Sequence, residues 1–85
     1  MELVYGRAAS RALRRMQPKL AAAFQRDLAA IAKMPFGHHA NVKALAGVTD
    51  GFRLRRGDWR AVYRLDRTAN RMIVVWIGPR AGAYR

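Results

Sequence analysis

The sequence predicts an α+β domain in which a helical hairpin packs on one face of a mostly antiparallel sheet. Residues 7–31 place apolar side chains at helical spacing, and residues 51–77 contain three runs rich in strand-forming residues, separated by turn signals. With a short strand at the start of the chain, the predicted order is β-α-α-β-β-β. We therefore expect four strands, and a single domain over residues 1–85.

The first half of the chain is predicted to form the initial strand and the helical hairpin. Residues 2–5 are strand-like, and a helical pattern follows them as far as about Met16. Because proline breaks a helix interior but suits a first turn, we place the second helix from Pro18. That helix is expected to end before Pro35, and residues 35–47 to form a loop. Its apolar stripe, at spacings of four, four and three, is Leu20, Phe24, Leu28 and Ile31.

Positive charge is the most unusual property of the composition. Seventeen lysines and arginines against five acidic residues give a net charge of +12, and most of it comes from arginine. Such a field attracts nucleic acid, an anionic membrane surface or an acidic protein. The planar guanidinium favours phosphate or carboxylate oxygens, which it binds in pairs. The alanine-rich helices lack the bulky apolar face of a membrane-surface helix, so no membrane partner is expected.

Several kinds of protein are excluded by what the sequence lacks. The chain has no cysteine, which rules out disulfide bonds and thiolate metal sites. No stretch reaches the roughly 18 apolar residues of a membrane span, and arginines interrupt the apolar runs near the N-terminus, unlike a signal peptide. We therefore expect a cytoplasmic protein.

The segment from residue 52 to residue 63 contains the most informative pattern. Gly57 and Asp58 separate two strand patterns, which indicates a two-residue hairpin loop with the positive φ of a type II′ turn at the glycine. A loop of this length fixes the register of the two strands. The predicted pairs are Arg56 with Trp59, Arg55 with Arg60, Leu54 with Ala61, Arg53 with Val62, and Phe52 with Tyr63.

This register sorts the hairpin side chains into two faces, because directly opposed residues point to the same side. The apolar face, suited to cover by the helices, has Arg56 at its turn end and carries Phe52, Leu54, Trp59, Ala61 and Tyr63. The other face has no acid within the hairpin and carries Arg53, Arg55, Arg60, Val62 and, farther along, Arg64. Opposed like charges destabilise a ladder, so a merely solvated face would interleave acids with bases. We interpret this face as a site for several phosphates.

The last strand and the C-terminal tail complete the pattern. Residues 72–77 are apolar at every position, which predicts an inner strand with Trp76, like Trp59, in the core. Its register stays open, because the preceding loop holds either four or five residues. After the strand, Arg80 and Tyr84 add a cation and a phenol to the basic face if the tail folds back past it.

Three segments resemble motifs of the RelE/ParE toxin superfamily. Residues 51–63, Gly-Phe-Arg-Leu-Arg-Arg-Gly-Asp-Trp-Arg-Ala-Val-Tyr, resemble its G-Y-R-x-R-x-G-D-Y-R-x-x-Y segment. Residues 78–84 resemble its C-terminal G-H-R-x-x-x-Y, and residues 42–47 its V-K-x-L-x-G. Together with the strand and helical hairpin before them, these segments extend the resemblance over nearly the whole chain.

The resemblance implies a fold, partners and a reaction. The fold is β-α-α-β-β-β, and an acidic antitoxin binds and neutralises the toxin, which is a monomer when free. In the RelE branch the target is mRNA in the ribosomal A site, and the ribose 2′-hydroxyl acts as internal nucleophile. The products carry a cyclic phosphate and a 5′-hydroxyl, and the reaction requires no metal and no cofactor.

The family motifs also imply roles for individual residues. The implied catalytic residues are Arg55, Arg60, Arg80 and Tyr84, and the implied RNA-binding residues are Lys43, Arg53 and Arg56. Two positions depart from the family pattern. Arg55 stands where many relatives have lysine, and Pro79 where many have histidine. Because arginine stays protonated, Arg55 is suited to stabilising phosphate charge and unsuited to accepting a proton, so the general base is unassigned.

The sequence gives less support to other catalytic residues and to other functions. His38 and His39 titrate in a suitable range but lie in a predicted loop far from the motifs, and Asp58 is expected to form the turn. One alternative is the ParE branch, which poisons DNA gyrase without a nuclease site and generally lacks the pair Arg80 and Tyr84. The other is a basic nucleic-acid-binding module without activity. A neighbouring gene for a short acidic protein would favour the toxin.

Overall fold

Residues 1–79 form a five-stranded mixed sheet and two helices. These residues are the part of the chain that the structure, a computed structural model, describes. The α+β class and the order of the predicted elements are confirmed. The sheet has one strand more than the sequence predicts. The elements are β1 (Glu2–Tyr5), α1 (Arg7–Arg15), α2 (Pro18–Lys33), β2 (Val42–Ala44), β3 (Gly51–Arg56), β4 (Trp59–Asp66) and β5 (Arg71–Gly78).

The strands lie in the order β1-β5-β4-β3-β2. β1 runs parallel to β5, and the other three neighbouring pairs are antiparallel, so the sheet is mostly antiparallel as expected. β5 is an inner strand, which agrees with its continuous apolar sequence. The additional strand, β2, pairs with β3 and lies within the segment predicted to be a loop.

The helical hairpin covers one face of this sheet. α1 gives way to extended backbone at Met16, and α2 begins with Pro18 in its first turn, as the position of the proline predicts. Three residues of the apolar stripe predicted for α2 are buried, namely Phe24, Leu28 and Ile31. These side chains pack in one cluster with the apolar face of β3, β4 and β5.

Tyr63 is the largest fully buried side chain of that cluster. Phe52 stacks on its ring with centroids 5.4 Å apart, and burial raises the pKa of Tyr63 to about 12. Each large apolar side chain removed from water in this way stabilises the fold by roughly 1.5–3 kcal/mol. The core therefore supports the sheet from the helix side, and Arg53, Arg55 and Arg60 lie on the other face.

The β3–β4 hairpin has the predicted register at every pair. Arg56 lies opposite Trp59, and Arg55 lies opposite Arg60. Gly57 has a φ of 60°, and Asp58 does not have a positive φ. A type II′ turn requires both conditions. The two predicted faces of the hairpin are thus confirmed.

A β-bulge in β5 changes the position of its tryptophan. Tyr63 pairs with Val74 and the adjacent Val62 pairs with Trp76, so Val75 is an extra residue in β5. The alternation that puts Met72 and Val74 in the core is inverted beyond the bulge, and Ile77 takes the core position. The prediction that Trp76 is a core residue is therefore wrong, while Trp59 does pack against the core.

Candidate nucleic-acid interface

The sheet face opposite the helices carries basic residues on three neighbouring strands, and Arg64 lies on it farther along β4. Lys43 of β2 lies opposite Arg53 of β3, and Arg55 of β3 lies opposite Arg60 of β4. We refer to Lys43, Arg53, Arg55 and Arg60 as the basic cluster. Lys43 and Arg55 are exposed, and Arg53 and Arg60 are half-buried. The extra strand thus adds a lysine to the face that the hairpin sequence predicts.

The turn between β3 and β4 holds two of these arginines in place. Nε of Arg55 donates a hydrogen bond to the carbonyl oxygen of Gly57, at 3.0 Å. Nη1 of Arg60 donates a longer one to the carbonyl oxygen of Asp58, at 3.5 Å. These contacts orient both guanidinium groups without neutralising either charge, and they leave most of the N–H donors available.

No salt bridge within residues 1–79 involves the basic cluster. Three of the five acids pair with arginines elsewhere: Asp27 with Arg56 at 2.7 Å, Asp50 with Arg67 at 2.8 Å, and Glu2 with Arg71 at 3.0 Å. Four cations therefore share one face without an internal counter-ion in this part of the chain. An external polyanion supplies the missing charge most directly.

Arg60 is the least satisfied member of the basic cluster. Its Nε atom is buried and has no hydrogen-bond acceptor within the described part of the chain. A buried donor without a partner costs roughly 1–3 kcal/mol, and such groups in native proteins are rare.

A shallow cleft runs along the β2 side of the same face. It has a volume of about 210 Å³ and is lined by Asn41, Lys43, Arg53 and Arg55. Asn41 adopts a φ of 65°, and its carbonyl oxygen accepts the backbone N–H of Arg55 at 2.9 Å, which joins the loop to β3. One ammonium and two guanidinium groups make this lining suitable for an anion.

The remaining predicted site residues do not join the basic cluster. Arg56 lies on the helix-covered side of the sheet, where it pairs with Asp27 of α2. Arg80 and Tyr84 lie outside the described residues. In the loop after α2, Nε2 of His39 donates to the carbonyl oxygen of Met34 at 2.7 Å, and His38 is exposed. Neither histidine is brought to the basic cluster by any contact that the structure records.

Trp76 is the residue on this face that sequence reasoning misses. It lies opposite Val62, which the register places between Arg53 and Trp76. Only the extra residue of the bulge puts it there, and a single bulge within an all-apolar run has no sequence signal. Trp76 is half-buried and thus contributes an aromatic surface beside the arginines.

Residues 1–79 hold neither a cluster of metal-ligand side chains nor a helix that could span a membrane. No group of three histidine, cysteine, aspartate or glutamate side chains comes together there in a way that suits a metal ion. None of the helices in that range combines the length and the apolar character needed to cross a membrane.

Two helices on one face of a five-stranded sheet give this chain a fold similar to that of solved RelE and YoeB/ParE toxins. The isolated RelE toxin of E. coli matches with a TM-score of 0.81 and 18% identity, over 93% of this chain and 83% of that chain. A chain of a RelBE toxin–antitoxin complex from Mycobacterium tuberculosis matches with a TM-score of 0.74 and 22% identity. The match covers 93% of this chain and 96% of that chain. The YoeB/ParE toxin from Agrobacterium tumefaciens matches with a TM-score of 0.76 and 18% identity. The match covers 91% of this chain and 95% of that chain.

The resemblance of residues 51–63 to that superfamily is thereby confirmed at the level of the fold. No protein-family model matches the sequence, and no curated protein matches it. At identities near 20% the structural likeness concerns the backbone, so function has to be argued from the side chains of the basic cluster.

Proposed function

We propose that this protein is the toxin of a type II toxin–antitoxin pair and that it cleaves mRNA at the ribosomal A site. The observation that carries the proposal is the basic cluster, four cations on one sheet face with no acidic partner within residues 1–79. The fold shared with RelE toxins supports the same function. The substrate class is single-stranded RNA held in the decoding site.

The proposed reaction is an internal transfer at one phosphodiester. The ribose 2′-oxygen attacks phosphorus, the new P–O2′ bond forms, and the P–O5′ bond breaks. A base accepts the 2′ proton, and the departing 5′-oxygen receives a proton, which leaves a cyclic phosphate and a 5′-hydroxyl. Negative charge accumulates on the non-bridging oxygens in the transition state, so preorganised cations lower the barrier.

We assign parts of this task to different members of the basic cluster, and their positions support the assignment. Arg55 and Arg60 are opposed across the ladder and tethered to the turn, so one phosphate between them meets two fixed guanidinium groups. Lys43 and Arg53 line the cleft beside them and suit a neighbouring phosphate of the same strand. The general base of the reaction is left unassigned.

Arg80 and Tyr84 complete the proposed site. Arg80 is assigned to stabilising the pentavalent phosphorus, and Tyr84 to stacking on the base or moving a proton. Both assignments rest on the family motif, because these two residues lie outside the described part of the chain.

The proposed partner is an acidic antitoxin. A segment rich in carboxylates over Arg53, Arg55 and Arg60 would neutralise charges that the chain leaves unpaired, and charge complementarity of this kind speeds association. The complex from Mycobacterium tuberculosis contains a toxin together with its antitoxin. We propose a hetero-oligomer with the antitoxin, a monomer when free, and action in the cytoplasm.

The deciding experiment is single-turnover cleavage of an A-site mRNA on purified ribosomes, with toxicity on induction as the cellular readout. Arg60→Ala and Arg80→Ala are each expected to slow cleavage by about 10²–10³-fold, as loss of one preorganised donor does elsewhere. Arg53→Ala is expected to weaken binding more than the chemical step. Arg71→Gln is the matched control, because it removes one positive charge at an exposed pair with Glu2.

The proposed function has two distinct ways of failing. If the three variants are as toxic as the parent and no cut is found, the nuclease assignment is wrong, and a supercoiling assay with DNA gyrase tests the ParE-like alternative. If the parent binds RNA but neither cleaves it nor harms the cell, the protein is a binding module.

A further inference from the structure

Trp76 lies on the same sheet face as the basic cluster. The bulge at Val75 places Trp76 opposite Val62, a neighbour of Arg60 two residues along the same face of β4. The tryptophan is half-buried and is not part of the core cluster under the helices. A large aromatic side chain therefore lies on the same face as the cations and outside the core cluster.

Gly78 makes room for the indole of Trp76. A Cβ atom at residue 78 would overlap the six-membered ring of that indole, so the ring occupies the space of the missing side chain. Gly78 is also the residue directly opposite Arg60. The indole therefore covers the position directly opposite Arg60 on the same face of the sheet.

We propose that Trp76 is the platform on which one base of the RNA stacks, while Arg60 holds the adjoining phosphate. The inference rests on the proposed function and adds to it a residue that recognises the base. A guanidinium beside an indole matches a nucleotide, whose base and phosphate are joined by one ribose. Proteins that bind single-stranded nucleic acid combine cations for the backbone with aromatic rings for the bases in this way.

The indole beside the basic cluster favours single-stranded RNA over an acidic protein segment as the occupant. A purely acidic peptide satisfies the basic cluster but has no group for the indole, whereas each nucleotide supplies both an anion and a flat ring. Stacking tolerates any base, so Trp76 adds affinity without strong sequence preference. A purine, with its larger ring, is expected to gain more than a pyrimidine.

The test uses the full chain and a single-stranded oligoadenylate of twelve nucleotides, compared with the same oligomer carrying abasic riboses. In a Trp59→Phe variant, Trp76 is the only tryptophan left in the sequence. Its fluorescence is expected to fall on binding oligoadenylate and to change little with the abasic oligomer. This readout leaves Trp76 itself intact.

Two substitutions at position 76 give the energetic side of the test. Trp76→Leu keeps an apolar side chain but removes the stacking surface, and is expected to lose about 5- to 150-fold in affinity for oligoadenylate. Trp76→Phe is expected to keep most of the affinity. The slope of log affinity against log salt stays the same in both variants, because no phosphate contact is removed. Thermal unfolding of each variant checks that it is folded.

The outcomes separate this inference from the proposed function. Equal affinity of parent and Trp76→Leu, or an equal loss on both oligomers, would show that the residue only supports the sheet. If the parent cleaves RNA but substitution of Trp76 does not change its affinity for RNA, the proposed platform is wrong and the proposed nuclease stands. If the fluorescence of Trp76 falls only with the oligomer that carries bases, and no RNA is cleaved, the platform is supported and the proposed nuclease activity is wrong.

Discussion

Arg55 and Arg60 lie directly opposite each other on β3 and β4, and each donates a hydrogen bond to a carbonyl of the turn between those strands. Like charges opposed across a ladder are destabilising by a few tenths of a kcal/mol. The hydrogen bonds to the turn fix the two guanidinium groups but leave the repulsion between them. The fold thus keeps an arrangement that costs stability, as binding sites commonly do.

The first prediction follows from this repulsion. Arg55→Gln is expected to raise the melting temperature by about 1–4 °C at low salt, which corresponds to a few tenths of a kcal/mol in a domain of this size. The gain shrinks in 500 mM NaCl, where the repulsion in the parent is already screened. Thermal unfolding followed by circular dichroism at both salt concentrations measures it.

Arg71→Gln is the control for that experiment, because Arg71 is paired with Glu2 and has no opposed cation on its neighbours in the sheet. It is expected to leave the melting temperature unchanged or to lower it slightly. A lower melting temperature for Arg55→Gln than for the parent at low salt would mean that the turn hydrogen bond outweighs the repulsion.

The hairpin is the part of the site that the sequence predicts completely. A two-residue loop with glycine first admits one register, and strict alternation then assigns each side chain of β3 and β4 to a face. The pairing of Arg55 with Arg60 follows from those two rules alone. Arg56 follows as well, since alternation puts it on the apolar face, where it reaches Asp27.

The features that the sequence does not predict each depend on a single residue or a contact made at a distance. β2 has three residues, Val42–Ala44, too few for an alternating pattern, and it exists because β3 offers it an edge. The bulge at Val75 inverts the face of Trp76, and any of the apolar residues of β5 could have been the extra one. The loop before β5 holds four residues, with Asp66 opposite Arg71, one of the two lengths that the sequence allows.

The second prediction concerns the ion pair at the other end of the sheet. Both oxygens of Asp50 accept hydrogen bonds from Arg67, at 2.8 and 2.9 Å, and Arg67 also lies over the ring of Phe36 at 4.3 Å. The hydrogen bond to Arg67 holds the pKa of Asp50 below its ordinary value of 3.8. A carboxyl with a lowered folded-state pKa stabilises the fold above the unfolded value and loses that contribution as pH falls through the folded value.

Asp50→Asn isolates this effect, because asparagine tolerates the φ of 55° at that position. The parent is expected to be more stable than Asp50→Asn at pH 7, and the difference is expected to shrink as pH falls from about 4 toward 2. Melting temperatures of both proteins across that range provide the measurement. A difference that is constant with pH would show that the charge on Asp50 contributes nothing.

The third prediction tests the packing of Trp76 against Gly78 without reference to function. Gly78→Ala introduces a Cβ into the space of the indole ring and is expected to destabilise the fold by about 1–3 kcal/mol, the usual cost of overpacking. The double variant with Trp76→Leu is expected to recover most of the loss, because the smaller side chain leaves that space. Urea unfolding of the four proteins of this cycle gives the coupling energy. Additive losses would contradict the contact.

The last prediction counts the phosphates that the basic cluster engages. If its four members each neutralise about one phosphate of a single strand, log affinity for RNA falls with log salt at a slope of about −2.8. Between 50 and 200 mM salt the parent then loses about fifty-fold in affinity. Fluorescence anisotropy of a labelled oligoribonucleotide over that range measures the slope.

Two arginines of the same strand, Arg53 and Arg56, make the count specific. Arg53→Gln is expected to reduce the slope to about −2.1, because one of about four phosphate contacts is lost. Arg56→Gln removes the same charge from the helix-covered side, where the guanidinium is paired with Asp27, and is expected to leave the slope at about −2.8. If both variants shift the slope equally, the RNA responds to the net charge of the protein, and the uncovered sheet face is not its site. If only Arg56→Gln shifts it, the RNA lies along α2 and the assignment of the face is reversed.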